Sequence, residues 1–144
     1  MDKKIEIELI TPEKIAYKGY ADQISLTTTT GEITVLPKHL NLVTSLAPGE
    51  IRIKNDNQEL VFATGTGFAT ISGKKVIIAT NLANTPEEID EAQVIEAKKR
   101  AEELLKEKTR LSEEEFAQTI ASLEKALVQL KVKRRHHHKK EKLI

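Results

Sequence analysis

The sequence predicts an α+β chain, an N-terminal antiparallel β-sandwich followed by a C-terminal antiparallel two-helix hairpin. Two observations predict it. From Lys4 to about Thr80 apolar residues recur at every second position in short runs, and after Asn84 the period lengthens to three and four. The first pattern belongs to strands with one buried face, the second to helices with one apolar stripe. The divisions that follow are a sandwich over 1–84, a helical hairpin over 85–133 and a basic tail over 134–144.

The alternating runs are Ile5, Ile7 and Leu9, then Ile24 and Leu26, Ile33 and Val35, Ile51 and Ile53, and Val76 and Ile78. Turn signals separate them at Thr30-Gly31, Pro48-Gly49, Asn55-Asp56-Asn57, Gly65-Thr66-Gly67 and Gly73-Lys74. Such spacing is that of sandwiches and barrels. The stretch from Ser25 to Thr30 reads as a strand showing its hydroxyl face to water. With three Phe, two Tyr and no Trp, the core has to be aliphatic.

Thr85-Pro86-Glu87-Glu88 offers an N-cap hydroxyl, a proline at the first helical position and a Glu at the third, so the first helix is expected to begin there. Val94, Ala97, Ala101 and Leu104 form its stripe, and it ends near Lys108. Ser112 through Glu115 repeat the capping box, and Phe116, Ile120, Leu123, Leu127 and Leu130 then fall at four-three-four-three steps on one narrow seam. Helices of this length are rods of roughly 30 Å. Only Thr109 to Leu111 separate them, short enough for an antiparallel neighbour or one nearly continuous rod. A narrow seam is satisfied by the sister helix, by the sandwich or by another protein. A movable arm and a permanently packed hairpin are therefore both open on this argument.

The search for enzyme chemistry comes back nearly empty. Cysteine is absent, and His39 is the one histidine outside the tail, so thiolate, Ser/His/Asp and multi-His arrangements lack members. Gly65-Thr66-Gly67 lies between two strands with no helix N-terminus to receive phosphate, and reads as a tight turn. His136, His137 and His138 are adjacent in a charged tail and do not preorganise a tetrahedral metal site. No run of about 18 apolar residues exists, and the start, MDKKIEIE, is not an apolar signal segment, so a cytosolic chain is expected.

Net charge is +1, yet the last 14 residues carry seven Lys/Arg against one Glu, leaving −5 on the rest. Lys133, Arg134, Arg135, Lys139, Lys140 and Lys142 read as a solvated end or a docking site for an acidic protein, nucleic acid or anionic lipid. No aromatic residue accompanies them, so base stacking is unsupported.

Several segments carry a resemblance. GEITVLPKHLNLVTSLAPGEIRI, Gly31 to Ile53, resembles the signature of the epsilon subunit of F-type, rotary ATP synthases: Gly-Glu, a hydrophobic stretch, Leu-Pro, a His, and a later Pro-Gly before an Ile-Arg-Ile strand. ITPEKIAY near the start, GTGFATI, and IDEAQVIEAKKRAEE at the opening of the hairpin extend the likeness over essentially the whole chain. The resemblance implies a non-catalytic central-stalk subunit of a proton-translocating synthase. It also implies a sandwich bound to the gamma subunit and seated on the c-ring, and a helical arm that reaches the alpha and beta catalytic subunits and inhibits ATP hydrolysis. It places the chain peripherally at the cytoplasmic face of the plasma membrane. By position, Glu32 and His39 face the gamma subunit and the ring, or are ordinary surface residues. The basic end, with Arg134, Arg135, Lys139 and Lys140, suits an acidic loop of the catalytic subunit.

No cofactor is required on this reading, and ATP is expected only as a weak regulatory ligand of the hairpin. Members that bind ATP there use an Ile/Leu-Asp pair, an Arg and an Ala after it, and further arginines on both helices. Ile89, Asp90 and Arg100 keep part of that pattern, whereas Gln93 and Val94 depart from it, and Lys125 and Gln129 stand where arginines would. Lys and Gln do not reproduce the forked guanidinium donors. Thr66 replaces the family's usual glycine, which puts that turn's conformation in question. No nucleic acid is expected as a partner; the alternative is a free-standing adaptor or nucleic-acid-binding protein that uses the basic tail.

Overall fold

The computed structural model describes residues 4–38, 41–107 and 110–142, with the side chains of the last helix described through residue 137. The chain divides into two compact units, Met1–Thr85 and Pro86–Ile144.

Among the described residues the first unit holds ten strands: β1 Ile5–Ile10, β2 Ile15–Ala21, β3 Gln23–Thr28, β4 Gly31–Val35, β5 Leu42–Leu46, β6 Gly49–Asn55, β7 Gln58–Thr64, β8 Gly67–Ser72, β9 Lys75–Thr80 and β10 Ala83–Asn84. Hydrogen bonding runs β10-β7-β6-β3-β5-β8-β9-β1-β2, with β4 also paired to β3. One layer is built on β3, β4, β6 and β7 and the other on β5, β8, β9, β1 and β2; a single residue pair, Thr28 with Leu46, joins β3 to β5. The alternation does its expected work. Ile5, Ile7, Leu9, Ile24, Leu26, Ile51, Ile53, Val76 and Ile78 are all at most 1% exposed and meet in one core. Tyr17 and Phe62 add an edge-to-face pair with centroids 6.2 Å apart.

One pairing departs from the all-antiparallel expectation. β1 lies parallel to β9, Glu6 opposite Lys75 through Ile10 opposite Ala79. Parallel neighbours need a long connection, and strands β2 to β8 supply it. At the Gly65-Thr66-Gly67 turn, Thr66 does not adopt a positive φ; among the described residues only Lys38 and Asp56 do so without being glycine. Thr66 keeps the turn closed through its carbonyl, which accepts from the Asn81 N–H at 3.1 Å and from Thr80 Oγ1 at 3.1 Å. Gly67 is the position that tolerates no side chain, because a Cβ there would run into the Ala79 carbonyl across the β8–β9 pair.

In the second unit a 3-10 turn, Pro86–Glu88, precedes α1, Glu91–Leu105, and α2, Glu113–Lys142. The first helix starts later than Thr85-Pro86 suggests. Asp90 takes the N-cap, its Oδ1 accepting from the Gln93 N–H at 3.3 Å, and the proline segment forms the short turn ahead of it. Ser112 caps α2 as expected: its Oγ accepts from the Glu115 N–H and donates to the Glu115 carboxylate, each at 3.1 Å.

Two expectations for α2 need correction. The helix does not stop at Lys133 but continues through Lys142, so the basic residues ride on helical backbone rather than on a loose tail. Lys, Arg and Glu are good helix formers, no Gly or Pro interrupts them, and cations near a helix C-terminus complement its dipole. The expected seam holds only in part: Leu130 is buried and Ile120 and Leu123 are half-buried, but Phe116 and Leu127 are 37% and 45% exposed, while Thr119, Ala126 and Val132, outside that stripe, are buried. On α1, Val94 and Ala101 are buried but Leu104 is 45% exposed.

Candidate regulatory arm and docking residues

α1 and α2 run antiparallel, since residues 133 to 136 near the end of α2 meet the 3-10 turn and the first residue of α1. Ala97 and Ala101 on α1 and Thr119, Ser122 and Ala126 on α2 line the space between the helices, together with the larger Val94, Leu104 and Leu111. Open grooves lie between the helices, of ≈ 600 Å³ toward Gln93, Lys125 and Gln129, and ≈ 460 Å³ toward Leu104, Leu111 and Glu115. Arg100 lines both.

Of the four residues singled out for ATP, the fold brings Arg100 and Lys125 to one groove. Ile89 and Asp90 do not line it. Ile89 is buried, and Asp90 spends a carboxylate oxygen on capping α1. Gln93 and Gln129 supply amides where guanidinium groups would give forked donors.

On the sandwich, Glu32 stands on β4 and is tied across β3 to Arg52 of β6, whose guanidinium lies 2.5 Å from the Glu32 carboxylate and 3.7 Å from that of Glu50. His39 lies outside the described residues. A second charged cluster was not singled out by sequence: Lys4 Nζ lies 3.0 Å from Asp22 and 3.1 Å from Asp56, and Asp22 Oδ2 accepts the Asp56 N–H at 2.6 Å. The Asp56 N–H and the Lys4 ammonium hold the Asp22 carboxyl below the usual carboxylate range. Hydrogen bonding to Asp22, then to Asp56, raises Lys4.

At the basic end, Arg134 Nε donates to Glu91 Oε1 at 3.2 Å, while Arg135 sits exposed beside it. The side chains of Lys139 and Lys140 lie outside the described residues. Lys133, read in sequence only as part of the basic run, donates to the Pro86 carbonyl at 2.9 Å, and His136, weighed only as a metal ligand, has its Nε2 3.1 Å from Glu87. The signal was present: an acidic start and a basic finish are neighbours in any antiparallel hairpin. Among the described residues no three His, Cys, Asp or Glu side chains come together as a metal site, and no helix is long and apolar enough to cross a membrane.

Sandwich and hairpin together define the class of the delta/epsilon chains of ATP synthase. Residues 4–86 match the family described as ATP synthase, Delta/Epsilon chain, beta-sandwich domain, and residues 87–134 match its long alpha-helix domain. The ATP synthase epsilon chain of Caldanaerobacter subterraneus subsp. tengcongensis is 40% identical over 134 residues, covering 92% of this chain and 95% of that one. That of Dehalococcoides mccartyi is 35% identical over 136 residues, covering 93% and 96%. Among solved structures, a chain of the Euglena gracilis mitochondrial ATP synthase, an OSCP/F1/c-ring assembly, is similar with a TM-score of 0.72 and 25% identity, over 85% of this chain and 76% of that one. The chain belongs to the epsilon-subunit family of F-type ATP synthases, a subunit of the central stalk.

Proposed function

We propose that this subunit has no catalytic site of its own, couples rotation of the membrane ring to the catalytic head through its sandwich, and restrains ATP hydrolysis through its helical arm. The observation that carries the arm's role is the seam of α2. Phe116 and Leu127 stay substantially exposed although they lie on the most regular apolar stripe of the chain. An arm with an apolar face to spare is suited to exchanging one packing for another.

In this reading the sandwich binds the gamma subunit and the c-ring, with Glu32 and His39 on the face toward them, at the cytoplasmic face of the plasma membrane. The arm meets the alpha and beta subunits, with Arg134, Arg135, Lys139 and Lys140 toward an acidic surface. ATP is a weak regulatory ligand at most, held by Arg100 and Lys125 in the inter-helix groove without a full set of arginines. Epsilon chains that align over nearly their whole length disfavour a free-standing adaptor or nucleic-acid-binding protein.

The test is the ATP hydrolysis rate of the matching alpha-beta-gamma complex alone, with the full chain, and with a chain ending at Asn84. The full chain lowers the rate and the truncated chain binds without lowering it. If both bind and neither inhibits, the brake is absent; if neither binds, the stalk role itself fails.

A further inference from the structure

The outward face of the layer built on β4, β3 and β6 carries a polar arrangement centred on Arg52. The register sets Arg52 of β6 opposite Ser25 of β3, Ser25 opposite Thr34 of β4, and Thr27 opposite Glu32. Side chains on one face of a strand recur at every second residue, so Ser25, Thr27, Glu32, Thr34, Glu50 and Arg52 share that face. The hydroxyls are engaged with one another and with the backbone: Ser25 Oγ meets Thr34 Oγ1 at 3.1 Å, and Thr27 Oγ1 donates to the Glu50 carbonyl at 3.1 Å. The Arg52 guanidinium lies between two carboxylates. Its Nη2 donates to Glu32 Oε1 at 2.5 Å, and its Nη1 is 3.7 Å from Glu50 Oε1.

The two ends of the Arg52–Glu32 pair differ in how firmly the backbone holds them. β6 is paired along both edges, to β3 and to β7, and the Arg52 side chain is 24% exposed. Among the described residues β4 is paired only to β3; it opens at Gly31, whose φ is 125°, and leaves the Glu32 side chain 52% exposed. A glutamate on an edge strand beside such a turn has several rotamers open to it, and docking through it would cost the entropy of choosing one. The guanidinium fork makes that choice before any partner arrives. It does so without cancelling the acid. Arg52 stands against two carboxylates, so one negative charge stays uncompensated, and a carboxylate that accepts through Oε1 keeps acceptor capacity on Oε2.

We propose that Arg52 is a positioning residue for docking of the sandwich: anchored on β6 and steadied by Glu50, it holds the Glu32 carboxylate of the edge strand in one pose for a hydrogen-bond donor on the partner. This rests on the reading of Glu32 as a residue that faces the gamma subunit and the ring. An ionised carboxylate only accepts, so the group that meets it is an N–H, a hydroxyl or an ammonium. An acidic loop would be repelled by Glu32 and Glu50 alike. Arg52 acts through Glu32 and makes no contact with the partner of its own.

Titration of the full chain onto the matching ATP synthase depleted of this subunit, with its c-ring in place, gives dissociation constants for the parent, Glu32→Gln, Arg52→Gln and the double variant. Arg52→Gln weakens binding by about twofold to tenfold, the range for ordering one long side chain. The urea midpoint of the free chain moves little, as for a partly exposed ion pair. In the Glu32→Gln background the same substitution has no further effect, whereas a role limited to tying β4 to β6 would weaken binding by the same factor in either background. Additive losses overturn the proposal, and so does tighter binding by Arg52→Gln, the result expected if Arg52 competed with the partner for Glu32. If Glu32→Gln binds like the parent, the reading of Glu32 as a docking residue fails and the positioning with it. If Glu32→Gln weakens binding and Arg52→Gln does not, the positioning alone fails. Arg52→Lys, which keeps the charge and gives up the fork, repeats the cycle with a smaller loss and carries the test should Arg52→Gln lower the urea midpoint.

Discussion

Replacing Leu130 by alanine removes the largest buried aliphatic side chain of α2, a residue only 4% exposed. Apart from Leu130, burial in the two helices rests on Val94, Ala101, Thr119, Ala126 and Val132, none larger than valine. Deleting the isobutyl end of a buried leucine costs about 2–5 kcal/mol depending on how far the site collapses. A thin two-helix interface relaxes readily, which points to the lower end, about 2–3 kcal/mol. At about 1.4 kcal/mol per factor of ten, that is roughly 30- to 150-fold in the opening equilibrium of the arm. The arm comprises the 15 residues of α1 and the 30 of α2, so its loss is visible in far-ultraviolet circular dichroism as well as in residue-resolved hydrogen exchange. The expected outcome is a fall in protection across 91–137 by that factor, with β1, β6 and β9 unchanged because they lie in a separate compact unit. Equal loss in strands and helices would show that the two units open together, and no loss in the helices would show that Leu130 does not hold the arm; either result refutes the reasoning.

Two other perturbations address the sandwich. Gly67→Ala drives a Cβ into the Ala79 carbonyl and destabilises the fold by about 2 kcal/mol or more, read as a lowered midpoint in urea with unchanged slope; a midpoint equal to the parent's refutes the close approach. The Asp22 cluster is read by pH. Because the folded carboxyl lies below its unfolded value, its stabilisation is present above roughly pH 3.9 and disappears as pH falls through the folded value. Lys4, raised on folding, contributes below roughly pH 10.4 and is lost as pH rises through its folded value. Asp22→Asn flattens the acid limb of a melting-temperature profile, and an acid limb identical to the parent's argues against the assignment.

Much of the fold was legible because burial in a sheet repeats with period two, and Ile5, Ile7, Leu9, Ile51 and Ile53 carry that period without interruption. The parallel β1–β9 pair was not, since alternation reports which face is buried and nothing about direction. The start of α1 was misplaced because two capping sequences compete there, Thr85 through Glu88 and Asp90 through Gln93, and the proline of the first is satisfied equally by a short turn. The buried side of α2 was legible at Leu130 but not at Thr119 and Ala126, which do not register as an apolar stripe, whereas the exposed Phe116 and Leu127 do. Among the site residues, spacing alone set Arg100 and Lys125 apart on different helices, and the fold brings them to one groove. Glu32 read as an available surface acid, and its tie to Arg52 appears only once β4, β3 and β6 lie side by side.

The parallel pairing of β1 with β9 also sets an order of events on the ribosome. β2 reaches β1 almost at once, since a short turn separates them, but the other edge of β1 waits for Lys75 to Ala79. Until then Glu6 to Ile10 offer an unpaired backbone edge, with Ile7 and Leu9 not yet sealed by Val76 and Ile78. The sandwich is thus completed late, by contacts far apart along the chain, whereas the helices that follow need only near neighbours. A nascent chain halted before Lys75 would leave that edge open to any other strand it meets, so this small protein's most vulnerable moment comes before its last sandwich strands have emerged.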